Sequence, residues 1–285
     1  MISYVIPLNL SKALSNENHY VPWDAARKHL SVNIHLLYET DVITLFKKYV
    51  SNLVDSTYTT LGWIDSGSHL QKLLRSDILG LACFSGHDAC LSEAARLLNL
   101  WIEDASYSLP IGSKRQVYRR GIEREGSEHN WDIMWDRCMA ELSPAEIDNL
   151  HYGLSNSQDR NILKKYIRLS QDVTNVRTQD FLKILEYISI NPAGSELVWS
   201  WVRENWEWLV KRYTLNDRYL GQVIPNITKH FATKEKLDEM KEFFGNYPEA
   251  GAGERFRKQA LETVRSNIRW VDTNANTILQ WLNNL

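Results

Sequence analysis

The stretch Phe256-Arg-Lys-Gln-Ala260-Leu-Glu-Thr-Val264-Arg-Ser-Asn-Ile268-Arg-Trp-Val271-Asp-Thr-Asn-Ala275-Asn-Thr-Ile278-Leu-Gln-Trp-Leu282 decides the fold class. Its numbered residues recur at steps of three and four, which aligns their side chains along one face of an α-helix. The spacing predicts a long final helix from about Glu254 to Leu282, with Val264 and Ile268 facing inward. Further back, Asn191-Pro192 predicts a helix start, the asparagine capping and the proline taking the first helical position. The preceding helix, about Thr178 to Ile190, must therefore stop there. Ser143-Pro-Ala-Glu146 has the composition of a capping box. Strand-like alternation is hard to find.

Extended over the chain, this reading gives about a dozen helices with short links, the grammar of stacked helix pairs. With 285 residues, two domains or one elongated array are expected, because single cores usually stop growing near about 100 to 200 residues. The expected fold is all-α, a superhelical array of antiparallel helix pairs of the HEAT or armadillo type. No fixed-period repeat supports it, so the expectation rests on helix length. The longest irregular pieces, Gly62 to Ser68, Ser106 to Ser113 and Tyr247 to Glu254, are too short to be domain linkers.

Lys and Arg number 33 against 35 Asp and Glu, a net charge of -2, and the basic residues are interleaved with acidic ones. No block can neutralise a run of phosphates, which excludes nucleic acid and a polybasic membrane surface. Apolar runs such as Ile78 to Phe84 fall far short of the roughly 20 residues of a membrane span. The eight histidines never form H-E-x-x-H, and no G-x-S-x-G, G-x-x-x-x-G-K-[ST] or G-x-G-x-x-G occurs. No metal ligand set and no catalytic residue is therefore assigned. Glu123, Glu125 and Glu128 beside His129 surround Gly126 and read as a solvated loop. Eleven tryptophans are the unusual feature. Trp199, Val202, Trp206 and Leu209 share one helical stripe and Trp201 and Trp208 another, a pattern that suits core packing better than a binding platform.

Three cysteines are too few for a disulfide scaffold. Cys83 and Cys90 flank a Ser-Gly turn that can bring the sulfurs together, but the residues by themselves favour two buried thiols. The N-terminus, Met1-Ile-Ser-Tyr-Val-Ile-Pro-Leu, has neither the basic region nor the apolar stretch of a signal peptide.

Taken together, a series of short motifs resembles one known family. It comprises Tyr20-Val-Pro-Trp23, Leu61-Gly-Trp63, Leu74-Arg75 leading into Leu81-Ala-Cys83, Val117-Tyr118 with Gly121-Ile122, and Trp131-Asp132 with Trp135. It continues through Arg177-Thr-Gln-Asp180, Asn191-Pro-Ala-Gly194, Val198-Trp199, Asn205-Trp206, Phe231-Ala-Thr233, Phe243-Phe244 and Asn267-Ile-Arg-Trp270. In order and spacing, from about Leu8 to Leu282, the series is similar to the C-terminal domain of the gluzincin zinc metallo-aminopeptidases. That group includes aminopeptidase N, glutamyl aminopeptidase and the endoplasmic reticulum aminopeptidases.

The resemblance implies that residues 1–285 are a single C-terminal helical-repeat domain. In the family this domain forms a bowl over the active site of a thermolysin-like catalytic domain. Zinc and the G-A-M-E-N exopeptidase motif lie in that other domain. The chain is thus expected to be a non-catalytic part of a larger enzyme, with Met1 an introduced or fragmentary start. Its expected partners are the parent's catalytic domain and a peptide substrate, with no direct membrane contact. The resemblance also implies a Cys83–Cys90 disulfide, leaving Cys138 free. With the sequons Asn9-Leu-Ser11 and Asn226-Ile-Thr228, which are possible glycosylation sites, the cysteine pair implies an extracellular or secretory-lumen compartment, as part of a membrane-anchored ectoenzyme. Substrate-facing candidates are Arg177, Asp180 and Asn191. Arg177 leads, because a guanidinium pairs with a peptide's terminal carboxylate and an aspartate repels it; the alternative is a surface pair of Arg177 with Asp180. The competing function is a stand-alone helical scaffold binding a protein partner through its concave face.

Overall fold

A computed structural model describes residues 3–285. Among them are fifteen α-helices, three short 3-10 helices and no strand. The chain forms two compact units, 1–130 with 270–285, and 131–269.

The first unit contains α1 (Val5–Ser11), α2 (Tyr20–Leu36), α3 (Ile43–Leu61), α4 (His69–Ser85), α5 (Asp88–Glu103) and α6 (Lys114–Glu125). α7 (Glu128–Ala140) begins in this unit and passes into the second. Consecutive helices pack in pairs, α3 on α4 and α5 on α6, and α2 also packs on α4. The core is the apolar stripe of each: Phe46, Val50 and Val54 of α3, Leu74 and Ile78 of α4, Leu98 of α5 and Val117 of α6 are buried. Trp23 is fully enclosed and its indole donates to the Glu17 carbonyl at 2.9 Å. α4 opens on a capping box of Ser68 and Gln71. It closes on Gly86, whose φ of 87° favours a residue without Cβ.

The second unit contains most of α7, then α8 (Pro144–Leu154), α9 (Arg160–Ser170), α10 (Thr178–Ile190), α11 (Pro192–Glu204), α12 (Trp206–Tyr213), α13 (Arg218–Thr228) and α14 (Lys234–Asn246). α15 (Glu254–Leu282) gives its first part, to Arg269, to this unit and the rest to the first. α10 packs on both α11 and α13. The tryptophans fill the interior, as their spacing predicts. Trp199 packs edge-on against Phe231 and Phe243, at 6.0 and 5.5 Å between ring centroids. Trp201 and Trp208 meet each other and Phe181 on the other face.

Several local expectations need correction. The stripe from Trp199 to Leu209 crosses a break at Asn205, whose φ of -113° and ψ of 20° separate α11 from α12. Ser143 makes no side-chain cap, because the Glu146 amide donates instead to the Ser143 carbonyl at 3.0 Å. Glu123 and Glu125 sit on the last turn of α6 and Glu128 opens α7, so the acidic cluster is helical apart from the short break at Gly126. In α15 Val264 is fully buried, whereas Ile268 is only half-buried.

Candidate functional site

The start of α10 carries the predicted peptide-facing residues. Arg177 occupies the N-cap position with φ -60° and ψ 143°, and its side chain, which has no acceptor, makes no cap hydrogen bond. It is 69% exposed, and its Nε donates to Asp180 Oδ2 at 2.7 Å. The alternative of an i, i+3 surface pair is therefore the geometry found. The pair engages only Nε, and neither Nη makes a hydrogen bond among the described residues. A second guanidinium lies beside this end of the helix: Arg212 of α12 donates to Thr178 Oγ1 at 3.5 Å and to the Gln171 carbonyl, at the end of α9, at 2.7 Å. It also lies 5.0 Å from the Trp208 ring centroid, and the Tyr213 hydroxyl donates to the Thr178 carbonyl at 2.6 Å. A helix N-terminus with cations beside it is an environment that accepts a carboxylate.

Asn191, at the other end of α10, does not face outward. It is 1% exposed. Its amide nitrogen donates to the carbonyls of Ser155 at 3.1 Å and Ser157 at 2.7 Å. Its Oδ1 accepts from Ala193 N at 3.1 Å and from Gln158 Nε2 at 3.3 Å. Every hydrogen-bonding position of the side chain is used within the fold, tying the α8–α9 turn to the α10–α11 corner. Sequence reasoning identifies the cap and misses the burial, because the partners lie more than thirty residues away.

Cys83 and Cys90 are bonded, with Cα atoms 5.2 Å apart, at the corner between α4 and α5. His87 shapes that corner. Its Nδ1 accepts from the Cys90 amide at 3.3 Å, and its Nε2 lies 2.9 Å from Asp55 Oδ1. Cys138 is free and buried, and burial pushes its thiol up to about 12. The sequon asparagines differ in their surroundings. Asn9 is exposed, and its Oδ1 accepts from Trp281 Nε1 at 2.9 Å. Asn226 gives its amide nitrogen to Glu186. Among the described residues no group of three His, Cys, Asp or Glu side chains is placed to hold a metal ion, and no helix is long and apolar enough to cross a membrane.

The described residues form paired helices, with a cystine corner between α4 and α5, and the fold class is an all-helical array. Residues 1–266 match the profile of the ERAP1-like C-terminal domain, and the chain belongs to that family. Along its full length it is 36% identical to human (Homo sapiens) glutamyl aminopeptidase and 37% identical to aminopeptidase A of Gloydius brevicauda. It is 31% identical over 96% of its length to endoplasmic reticulum aminopeptidase 1 of Mus musculus. The chain spans about 30% of the length of each of these relatives.

Proposed function

We propose that this chain serves as the non-catalytic C-terminal domain of a zinc aminopeptidase, capping the active site and accommodating the peptide beyond the residue being removed. The observation that carries this reading is the end-to-end similarity to aminopeptidases that extend far beyond the matched region. The parent would release N-terminal residues from peptides, with zinc held in its catalytic domain, the partner of this one. A helical cover contributes by excluding bulk water from the scissile bond and by giving the peptide tail a wall to lie against. The cystine between α4 and α5 supports an extracellular or secretory-lumen location.

Within this reading Arg177 is the contact for the peptide's terminal carboxylate. Binding redirects its exposed guanidinium from Asp180, so the net gain is that of one exposed charge pair. In the intact aminopeptidase, Arg177→Ala is expected to lower kcat/KM for long peptides by about fivefold while leaving single-residue amides unchanged. Equal loss on both substrates, or loss on neither, would remove Arg177 from the peptide path. The 285-residue chain alone, incubated with zinc and aminoacyl amides, is expected to show no chelator-sensitive turnover.

A further inference from the structure

A groove runs along the second unit between α12, α14 and the segment that follows α14. One half, about 500 Å³, has apolar walls formed by Trp206, Val210, Leu215 and Pro248. The other half, about 460 Å³, is lined by Glu207, Glu239 and Glu242 with Arg203, and the two halves share Glu207, Asn246 and Tyr247.

Three observations indicate what fits. First, the charge is one-sided. Glu207, Glu239, Glu242 and Glu249 face only Arg203 and Lys211 across the two halves. Glu239 is already engaged by Lys236 and by the Trp199 indole. Glu207, Glu242 and Glu249 are exposed and make no ion pair among the described residues. Second, Trp206 is only 4% exposed, yet its indole N–H has no acceptor among the described residues and is not sealed from solvent. A nearly buried Trp normally satisfies that donor, and the ring that carries this one lines the apolar half of the groove. Third, the walls are fixed. Arg257 donates to the Tyr247 carbonyl and lies 5.6 Å from the Trp206 ring centroid. Ala252 N donates to the Leu215 carbonyl at 3.0 Å. Gly251, at φ 52°, permits that approach, because a Cβ there would lie 2.4 Å from the same oxygen.

We infer that this groove docks an extended, cationic segment of a partner polypeptide. An apolar side chain would pack against Trp206, Val210 and Leu215, a main-chain carbonyl would accept from the Trp206 indole, and flanking Lys or Arg side chains would pair with Glu207, Glu242 and Glu249. A terminal carboxylate is excluded by the same charges, which distinguishes the groove from the Arg177 surface. Exposed pairing of this kind gives specificity and salt dependence.

The test uses fluorescence anisotropy with the 285-residue chain. The probes are fluorescein-labelled Gly-Arg-Leu-Lys-Gly, amidated at its C-terminus, and its acidic counterpart Gly-Glu-Leu-Asp-Gly. The cationic probe is expected to bind at least about tenfold more tightly, and more weakly as salt is raised. The double variant Glu207→Gln with Glu242→Gln, at exposed positions, and Trp206→Phe, which keeps the ring and deletes the N–H, are each expected to weaken it by about fivefold or more. Circular dichroism checks that the folds are retained. Equal binding of both probes, no binding, or binding untouched by both variants would overturn the assignment. In the intact aminopeptidase the cationic probe is expected to leave hydrolysis of a long peptide unchanged. Competitive inhibition abolished by the Glu variants would assign the groove to the substrate instead, and would overturn the partner without touching the Arg177 reading.

Discussion

His151 should give the second unit a measurable acid sensitivity. It is 6% exposed, and its Nδ1 lies 2.9 Å from the Tyr166 hydroxyl. That hydroxyl donates to the His151 carbonyl at 3.2 Å, so the imidazole presents Nδ1–H to its oxygen. The Cys138 sulfur lies 3.8 Å from Nδ1 and 3.9 Å from Nε2, and a thiol held up at about 12 cannot offset an imidazolium. Burial pushes His151 down to about 4; Asp180 and Asp148 pull it upward and Lys183 and Arg177 push it further down, all more weakly than burial. An unfolded histidine titrates near about 6.5. Above that value neither state is protonated and the stability is fully present. As pH falls from about 6.5 towards 4, the unfolded chain takes a proton that the folded one refuses, and stability is lost. The loss works out at about 2 kcal/mol by pH ~5 and approaches about 3 kcal/mol near pH ~4. Urea unfolding followed by tryptophan fluorescence should be compared at about pH 7.5 and 5 for the wild type and His151→Asn, whose amide keeps a donor towards Tyr166. His230, also pushed down to about 4 by burial, contributes to both proteins and cancels. The wild type should lose about 2 kcal/mol more than the variant over this range. Parallel losses would refute the assignment of a neutral, buried His151.

Three further outcomes are expected. Protein from an oxidising host should show Cys83 linked to Cys90 and one alkylatable thiol at Cys138 on non-reducing peptide mapping, and replacing both bonded cysteines by Ala should cost about 2 kcal/mol for so short a loop; Cys138 in the bridge would contradict this. Asn191→Ala leaves the Ser155 and Ser157 carbonyls without their shared donor and should cost about 2 to 3 kcal/mol in chemical denaturation; a neutral variant would show that water replaces the amide. Ile278→Ala, at a fully buried site, should cost about 3 kcal/mol and Ile268→Ala about 1 kcal/mol; the reverse order of midpoints would show that the inward face of α15 is misassigned.

The parts of the fold legible in the sequence are those set by neighbours along the chain. Asn191-Pro192 fixes the end of one helix and the start of the next, and α10 spans Thr178–Ile190 as that punctuation predicts. Periodicity likewise places α15 over Glu254–Leu282. It fails at Asn205, because Trp199, Val202, Trp206 and Leu209 stay buried across the break and the apolar stripe therefore does not register it. At Ser143 the motif is correct and the bond is absent, since Glu141 Oε1 accepts from the Leu142 and Ser143 amides at 2.8 Å and shapes the approach to the helix. The site is harder to read for the same reason. Arg177 and Asp180 are adjacent on one turn and their pairing follows from spacing, but whether Asn191 faces out or in depends on carbonyls from a different helix connection.

The buried tryptophans hold the fold together as well as fill it. Trp23, Trp131 and Trp199 are fully buried, and each indole meets an acceptor: the Glu17 carbonyl at 2.9 Å, the Leu154 carbonyl at 3.0 Å and the Glu239 carboxylate at 2.8 Å. Trp131 and Trp199 therefore fix one helix to another, and Trp23 fixes α2 to the segment leading into it, while each fills volume. Trp206 lies on the same stripe and packs at 5.3 Å against Phe243, but its N–H is left over. Since composition counts the ring and periodicity places it inside, neither reports the free donor. Among the described residues Trp135 is also nearly buried with no acceptor, so what sets Trp206 apart is that its ring lines a groove shared with the exposed Glu207, Glu242 and Glu249.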